Sequence, residues 1–151
     1  MAVSAFWYAR GFLAAFNKEI DWAADANKVM LTTSTYTPNQ DTHDYHNDVT
    51  NEVASGNGYT TGGAALASPT IVNTLNVVKL AAEATTVWAA STITARRAVV
   101  YDTTPGSTST NPLLFWVDFG ADVSSVSGSF TITWDAAGMA TITPADATGY
   151  P

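Results

Sequence analysis

Residues Phe130-Thr131-Ile132-Thr133-Trp134 alternate large apolar groups with threonine at period two. That pattern puts the apolar groups on one face of a strand and the hydroxyls on the other. Leu113-Leu114-Phe115-Trp116-Val117-Asp118-Phe119 differs in carrying large groups at successive positions. It predicts a central strand covered on both faces. A chain holding two such segments needs at least two layers packed on a sheet. Charged residues make up only 13% of the chain. A helical bundle would need more Glu and Lys, whereas the abundant Thr, Val, Ala and Ser here favour strands.

Further strands are predicted at Lys28–Thr33, Ala65-Leu66, Thr70–Val72, Leu75–Leu80 and Ile93–Tyr101. Glu19–Trp22 and Lys28–Thr33, flanking the small loop Ala23–Asn27, read as a β-hairpin. Phe130–Trp134 and Met139–Thr143 read as another, across Asp135-Ala136-Ala137-Gly138. Trp88, alone among small residues, is expected to plug the core. Arg96 and Arg97 should point to opposite faces, one reaching a carboxylate at the core edge and the other solvated. The glycine-rich stretch Gly56–Gly63 should return the chain sharply to the sheet. Together these features predict a mainly β protein, a single antiparallel β-sandwich or barrel-like domain.

Within the 151 residues, residues 1–18 read as an N-terminal arm and short helix, residues 19–144 as the β domain, and residues 145–151 as a tail. The helix is expected over Tyr8–Asn17, where Phe12, Ala15, Phe16 and Glu19 recur at helical spacing and Gly11 weakens it by roughly 1 kcal/mol. Trp7, Tyr8 and Phe12 have two possible uses: capping the domain's own core, or contacting a neighbouring subunit.

A net charge of −7 with six scattered basic residues excludes a phosphate-binding surface, so no nucleic-acid partner is expected. The absence of Cys excludes disulfides, thiol catalysis and Cys-ligated zinc. No apolar run reaches the ~18 residues of a membrane span, and the N-terminus lacks a basic signal region, so no membrane association is expected.

His43 and His46, three apart, with Asp44 between them, form the one metal-ligand candidate; Asp41, Asp48 and Glu52 could add oxygens. Their spacing matches neither HExxH nor an EF-hand, and the same residue types populate turns and caps. A single helical turn over Thr42–Asp48, capped by Asp41 or Thr42, is the local expectation. There is no GxSxG, the glycine turn lacks a P-loop Lys, and no carboxylate pair is singled out. No enzymatic activity and no cofactor are expected.

Several motifs occur in a fixed order: Asn17–Trp22 (NKEIDW), Lys28–Leu31 (KVML), Tyr36-Thr37-Pro38, His43-Asp44-Tyr45, Asn51-Glu52-Val53 and Gly58–Gly63. Ile93–Asp102, Pro112–Gly120 and Phe130–Gly138 follow. In this the chain resembles a family of small virion structural proteins of tailed bacteriophages. The resemblance implies a component of the particle, with no catalytic residues to carry over. It implies a capsid decoration (cement) protein on the outer shell, the alternative being a tail, baseplate or fibre component contacting the host surface. Expected partners are the major capsid protein or other virion proteins, and further copies of itself in a homo-oligomer.

Overall fold

A computed structural model of the chain describes residues 2–144, so the expected tail at 145–151 lies outside the described residues. The protein is mainly β, with one short helix near the N-terminus, and its antiparallel sheets do not close into a barrel. In chain order the elements are β1 (Ser4–Trp7), α1 (Ala9–Phe16), β2 (Asn27–Thr32), β3 (Ala64–Ala65), β4 (Thr70–Thr74) and β5 (Val77–Ala81). Then come β6 (Thr85–Ser91), β7 (Thr94–Asp102), β8 (Leu113–Ser124), β9 (Gly128–Thr133) and β10 (Ala140–Ile142).

The first layer is a five-stranded sheet in the order β1-β8-β7-β2-β3. As the run of large residues predicts, β8 is buried on both faces. Phe115 and Val117 join Val29, Leu31 and Val100 in the main core. Leu113 and Trp116 join Met30, Val99 and Tyr101 in a second cluster on the outer face. Each such side chain, fully removed from water, contributes roughly 1.5–3 kcal/mol before the entropy of ordering is counted.

The second layer covers the inner face. β4 and β5 form a hairpin whose turn residues Leu75 and Asn76 have φ of 48° and 67°, the geometry of a two-residue type I′ turn. The strand expected from Leu75 therefore begins two residues later, at Val77. Trp88 lies in the core as expected, carried by β6, a strand its small neighbours did not announce.

Two expected hairpins are not formed. Residues 19–22 are not a strand: Asp21 O accepts from the N–H groups of Ala24 and Asp25, making a turn. The Trp22 side chain is buried, and its indole N–H donates to Thr70 O at 2.9 Å and Ala81 O at 3.1 Å, clamping the base of the β4–β5 hairpin. β2 instead has its two edges taken by β7 and β3.

Likewise β9 and β10 do not pair with each other. β9 pairs with β6 (Trp88 opposite Phe130, Thr85 opposite Thr133), and β10 pairs with β5 (Leu80 opposite Ala140). Because β5 and β6 follow one another around a kink at Ala82–Ala84, β9 and β10 also run end to end. Trp134 N–H bonds to Ala84 O and Met139 N–H to Leu80 O, carrying the line across the kink. In this arrangement Trp134 and Met139, at the two ends of the connecting loop, are both buried in the main core.

The glycine-rich stretch returns the chain as expected. At Gly63 (φ +75°) a Cβ would lie within 1.9 Å of Val29 O and 2.6 Å of the Met30 Cα, so only glycine lets the loop close onto β2. Glu52 braces that loop: Oε1 accepts from Tyr59 O–H at 2.7 Å and Gly62 N–H at 2.6 Å. Tyr59 Oη in turn accepts from Leu31 N–H.

Candidate functional site

The N-terminal arm is a strand of the sheet, not a free extension: β1 pairs with β8 from Ser4 opposite Asp118 to Trp7 opposite Phe115. Helix α1 then packs across the start of β8. Gly11, which weakens the helix locally, is what permits this approach, because a Cβ there would meet Leu113 O at 2.7 Å. The helix ends in a Schellman motif with Lys18 at φ 62°, Glu19 N–H bonding to Ala14 O and Lys18 N–H to Ala15 O.

The three aromatic candidates have different surroundings. Tyr8 is 0% exposed and unavailable as a surface contact; it packs on Trp116 at 4.6 Å between ring centroids. Trp7 and Phe12 are half-buried against each other at 4.8 Å, with Trp7 also meeting the edge of Phe115. The apolar groups that do reach the surface here are Val3, Phe6, Leu13 and Phe16, the last 85% exposed. The helical spacing that located α1 could not say which of its faces would be covered.

His43 and His46 are drawn onto aromatic rings. Tyr8 Oη and Tyr36 Oη are 2.8 Å apart, and Tyr36 Oη lies 3.0 Å from His43 Nδ1, so a hydrogen-bonded chain runs from the buried phenol outward. Burial pushes Tyr36 up to about 12 and Tyr8 higher still, keeping both phenols neutral and poor nucleophiles. His46 lies 4.7 Å from the Tyr101 ring, and burial lowers its pKa, favouring neutral imidazole.

Asp44 is raised, first by burial and then by the neighbouring Asp48 carboxyl. Asp48 is itself held low: burial raises it, but backbone N–H bonds from Asp44 and Tyr45 outweigh that. The expected helical turn is only the short 3-10 turn His46–Asp48, and neither Asp41 nor Thr42 caps it. Among the described residues no three His, Cys, Asp or Glu side chains converge as a metal shell. Functionally this segment fastens residues 36–49 over the outer face of the sheet.

Arg96 and Arg97 also depart from the expected alternation. Both reach one carboxylate: Arg96 Nε to Asp118 Oδ1 at 2.7 Å and Arg97 Nε to Asp118 Oδ2 at 3.0 Å. The cause is a register shift, with Ala95 opposite Val123 but Arg97 opposite Asp118, so β8 bulges between them. Burial would raise Asp118, but the Arg96 hydrogen bond, the Gly120 N–H and the two guanidinium charges bring it below the usual carboxylate range. Arg97 Nη1 also donates to Tyr36 O at 2.5 Å, tying the covering loop to the sheet.

One concave feature was missed by sequence reading. Along the free edge of β1 runs a cleft of about 550 Å³ bordered by Val3–Ala5 and by Phe130–Asp135 of the second layer. A second cleft of about 300 Å³ continues it past Phe6 and Trp7 to Met139–Thr141. Ala5, Gly138 and Met139 border both, so the two make one seam between β1 and the β9–β10 line. Its floor is apolar, with Val117, Phe119 and Ile132, and among the described residues Asp135 is the one charged residue lining it. A signal did exist: neither SAFW nor GSFTIT carries the charge or proline that normally guards an edge strand. Comparison with known proteins returns no match to a protein family, a curated protein or a solved structure.

Proposed function

We propose that this protein is a non-enzymatic structural component of a tailed-bacteriophage virion, a decoration protein seated on the outer face of the capsid. The observation that carries the reading is the exposure of Val3, Phe6, Leu13 and Phe16 within the first sixteen residues. Leu13 and Phe16 are three apart on α1 and share a face, so they can enter one pocket on a partner. A decoration protein binds many equivalent sites, and small apolar anchors repeated over a lattice add up to stable attachment. The virion family that the motif order resembles supplies the partner: the major capsid protein.

Quantitative mass spectrometry of purified particles tests this, with the major capsid protein as internal standard. Copy numbers comparable to the capsid protein are expected, together with loss of incorporation when Phe16→Glu is introduced. A few dozen copies or fewer would move the protein to the tail, baseplate or fibre. Absence from particles would overturn the virion reading altogether.

A further inference from the structure

We propose that the protein assembles with itself by adding strand β4 of one copy into the seam between β1 and the β9–β10 line of the next. The donor and the acceptor are both visible on one chain. β4 is exposed at every position and pairs only with β5, leaving its other edge without a partner among the described residues. Ile71 and Val72 point to opposite faces and are about half exposed, and Leu75 at the turn is 93% exposed. Trp22 fixes the base of this hairpin, and at its tip the Asn76 amide N–H donates to Pro144 O at 3.2 Å. The acceptor offers the outer edge of β1, which has no strand partner among the described residues and on which Trp7 O accepts the Gln40 side-chain N–H at 2.7 Å, with the β9–β10 line on the other side and an apolar floor between.

Charge selects a second copy as the occupant. At −7 per chain, two copies repel least where neither presents carboxylates. β4 (Thr-Ile-Val-Asn-Thr) and β1 (Ser-Ala-Phe-Trp) carry none. Asp135, alone in the seam, is turned toward its own loop, where Oδ1 accepts the Ala137 N–H. The lengths also match: five residues of β4 span about 17 Å at ~3.4 Å per residue, enough to run the length of β1. Backbone pairing then supplies affinity and the apolar floor selects the register. The contact joins two different surfaces, so it propagates head to tail and closes into a ring or continues as a filament.

Sedimentation velocity on purified protein, up to several hundred micromolar, tests this independently of the virion reading. Wild type is expected to rise above the 15.9 kDa monomer mass with concentration. Ala5→Lys, which places an ammonium in the seam, and Val72→Lys, which guards the β4 edge, should each remain monomeric. Both sites are exposed, and unchanged far-UV circular dichroism and Tm would show that the variants fold. An equimolar mixture of the two should recover a two-chain species, because one variant keeps its hairpin and the other its seam. A wild type monomeric throughout, an Ala5→Lys protein that assembles like wild type, or a mixture that stays monomeric would each overturn the proposal. The second of these outcomes would point to β4 pairing with β4 across a twofold axis.

Discussion

The two long edges of the five-stranded sheet are finished in opposite ways. At the β3 edge the chain closes on itself: Gly63 lets the loop meet β2, and Glu52 joins Tyr59, Gly62 and, through the Tyr59 hydroxyl, the β2 backbone. Tyr101 adds an O–H donated to Gly62 O at 2.8 Å. At the β1 edge the described residues show only the Gln40 side chain bonded to Trp7 O at 2.7 Å, and two strand edges border an apolar seam. Hydrogen-bonding groups are thus settled internally on one side and left for a partner on the other. Since an unsatisfied backbone group is costly when buried and cheap when wet, the open edge is stable alone and adhesive when covered.

The largest expected effect lies at the closed edge. Gly63→Ala adds backbone strain at positive φ and a clash with β2 backbone that cannot move aside. Urea unfolding should show a loss on the order of 4 kcal/mol, lowering Tm by roughly 10 °C. A loss below about 1 kcal/mol would mean that the loop does not seal the sheet, and the contrast between the edges would go with it.

A middle-sized effect of opposite sign is expected at Asp102, fully buried near the same edge. Burial raises its pKa, its Oδ2 has no hydrogen-bond partner, and it stands opposite Asn27, whose Oδ1 is also unpartnered. A carboxyl with a raised folded pKa contributes stability below its unfolded value of about 3.9 and loses it as pH climbs through the folded value. Asp102→Asn, which supplies an N–H for Asn27, should therefore raise Tm at pH 7 by a few degrees, about 1 kcal/mol. The advantage should fade below pH ~4, where the wild-type carboxyl is protonated too. A variant gain that persists unchanged at pH 3 would contradict this account.

The smallest effect should come from the open edge. Thr131→Lys, at an exposed position of β9 beside the seam, should leave stability within about 0.5 kcal/mol. A markedly larger loss would show that the seam is already packed in the isolated chain.

Much of the fold was legible from local pattern. The alternation of Phe130–Trp134, the double-faced run at Leu113–Phe119, the helix at α1 and the glycine return are properties of a few neighbouring residues. The site was less legible. Trp7, Tyr8 and Phe12 were visible as aromatics, yet nothing in their spacing distinguishes Tyr8, hydrogen-bonded in the interior, from Phe16, left in water. The histidines looked like ligands because their aromatic partners are set by folding: Tyr36 meets His43 across an irregular loop with no regular period, and Tyr101 meets His46 from a distant strand.

The sequence by itself determined that this chain would be built of antiparallel strands around an aromatic core, because side-chain period and turn chemistry act over a handful of residues. Only the tertiary structure decided which strands meet: β9 beside β6 instead of β10, and Arg96 and Arg97 on one Asp118 across a bulge. Those pairings depend on which arrangement buries Trp134, Met139 and Phe115 together, and that is a property of the whole core. The unpaired edges at β1 and β4 are what remains after that core is satisfied.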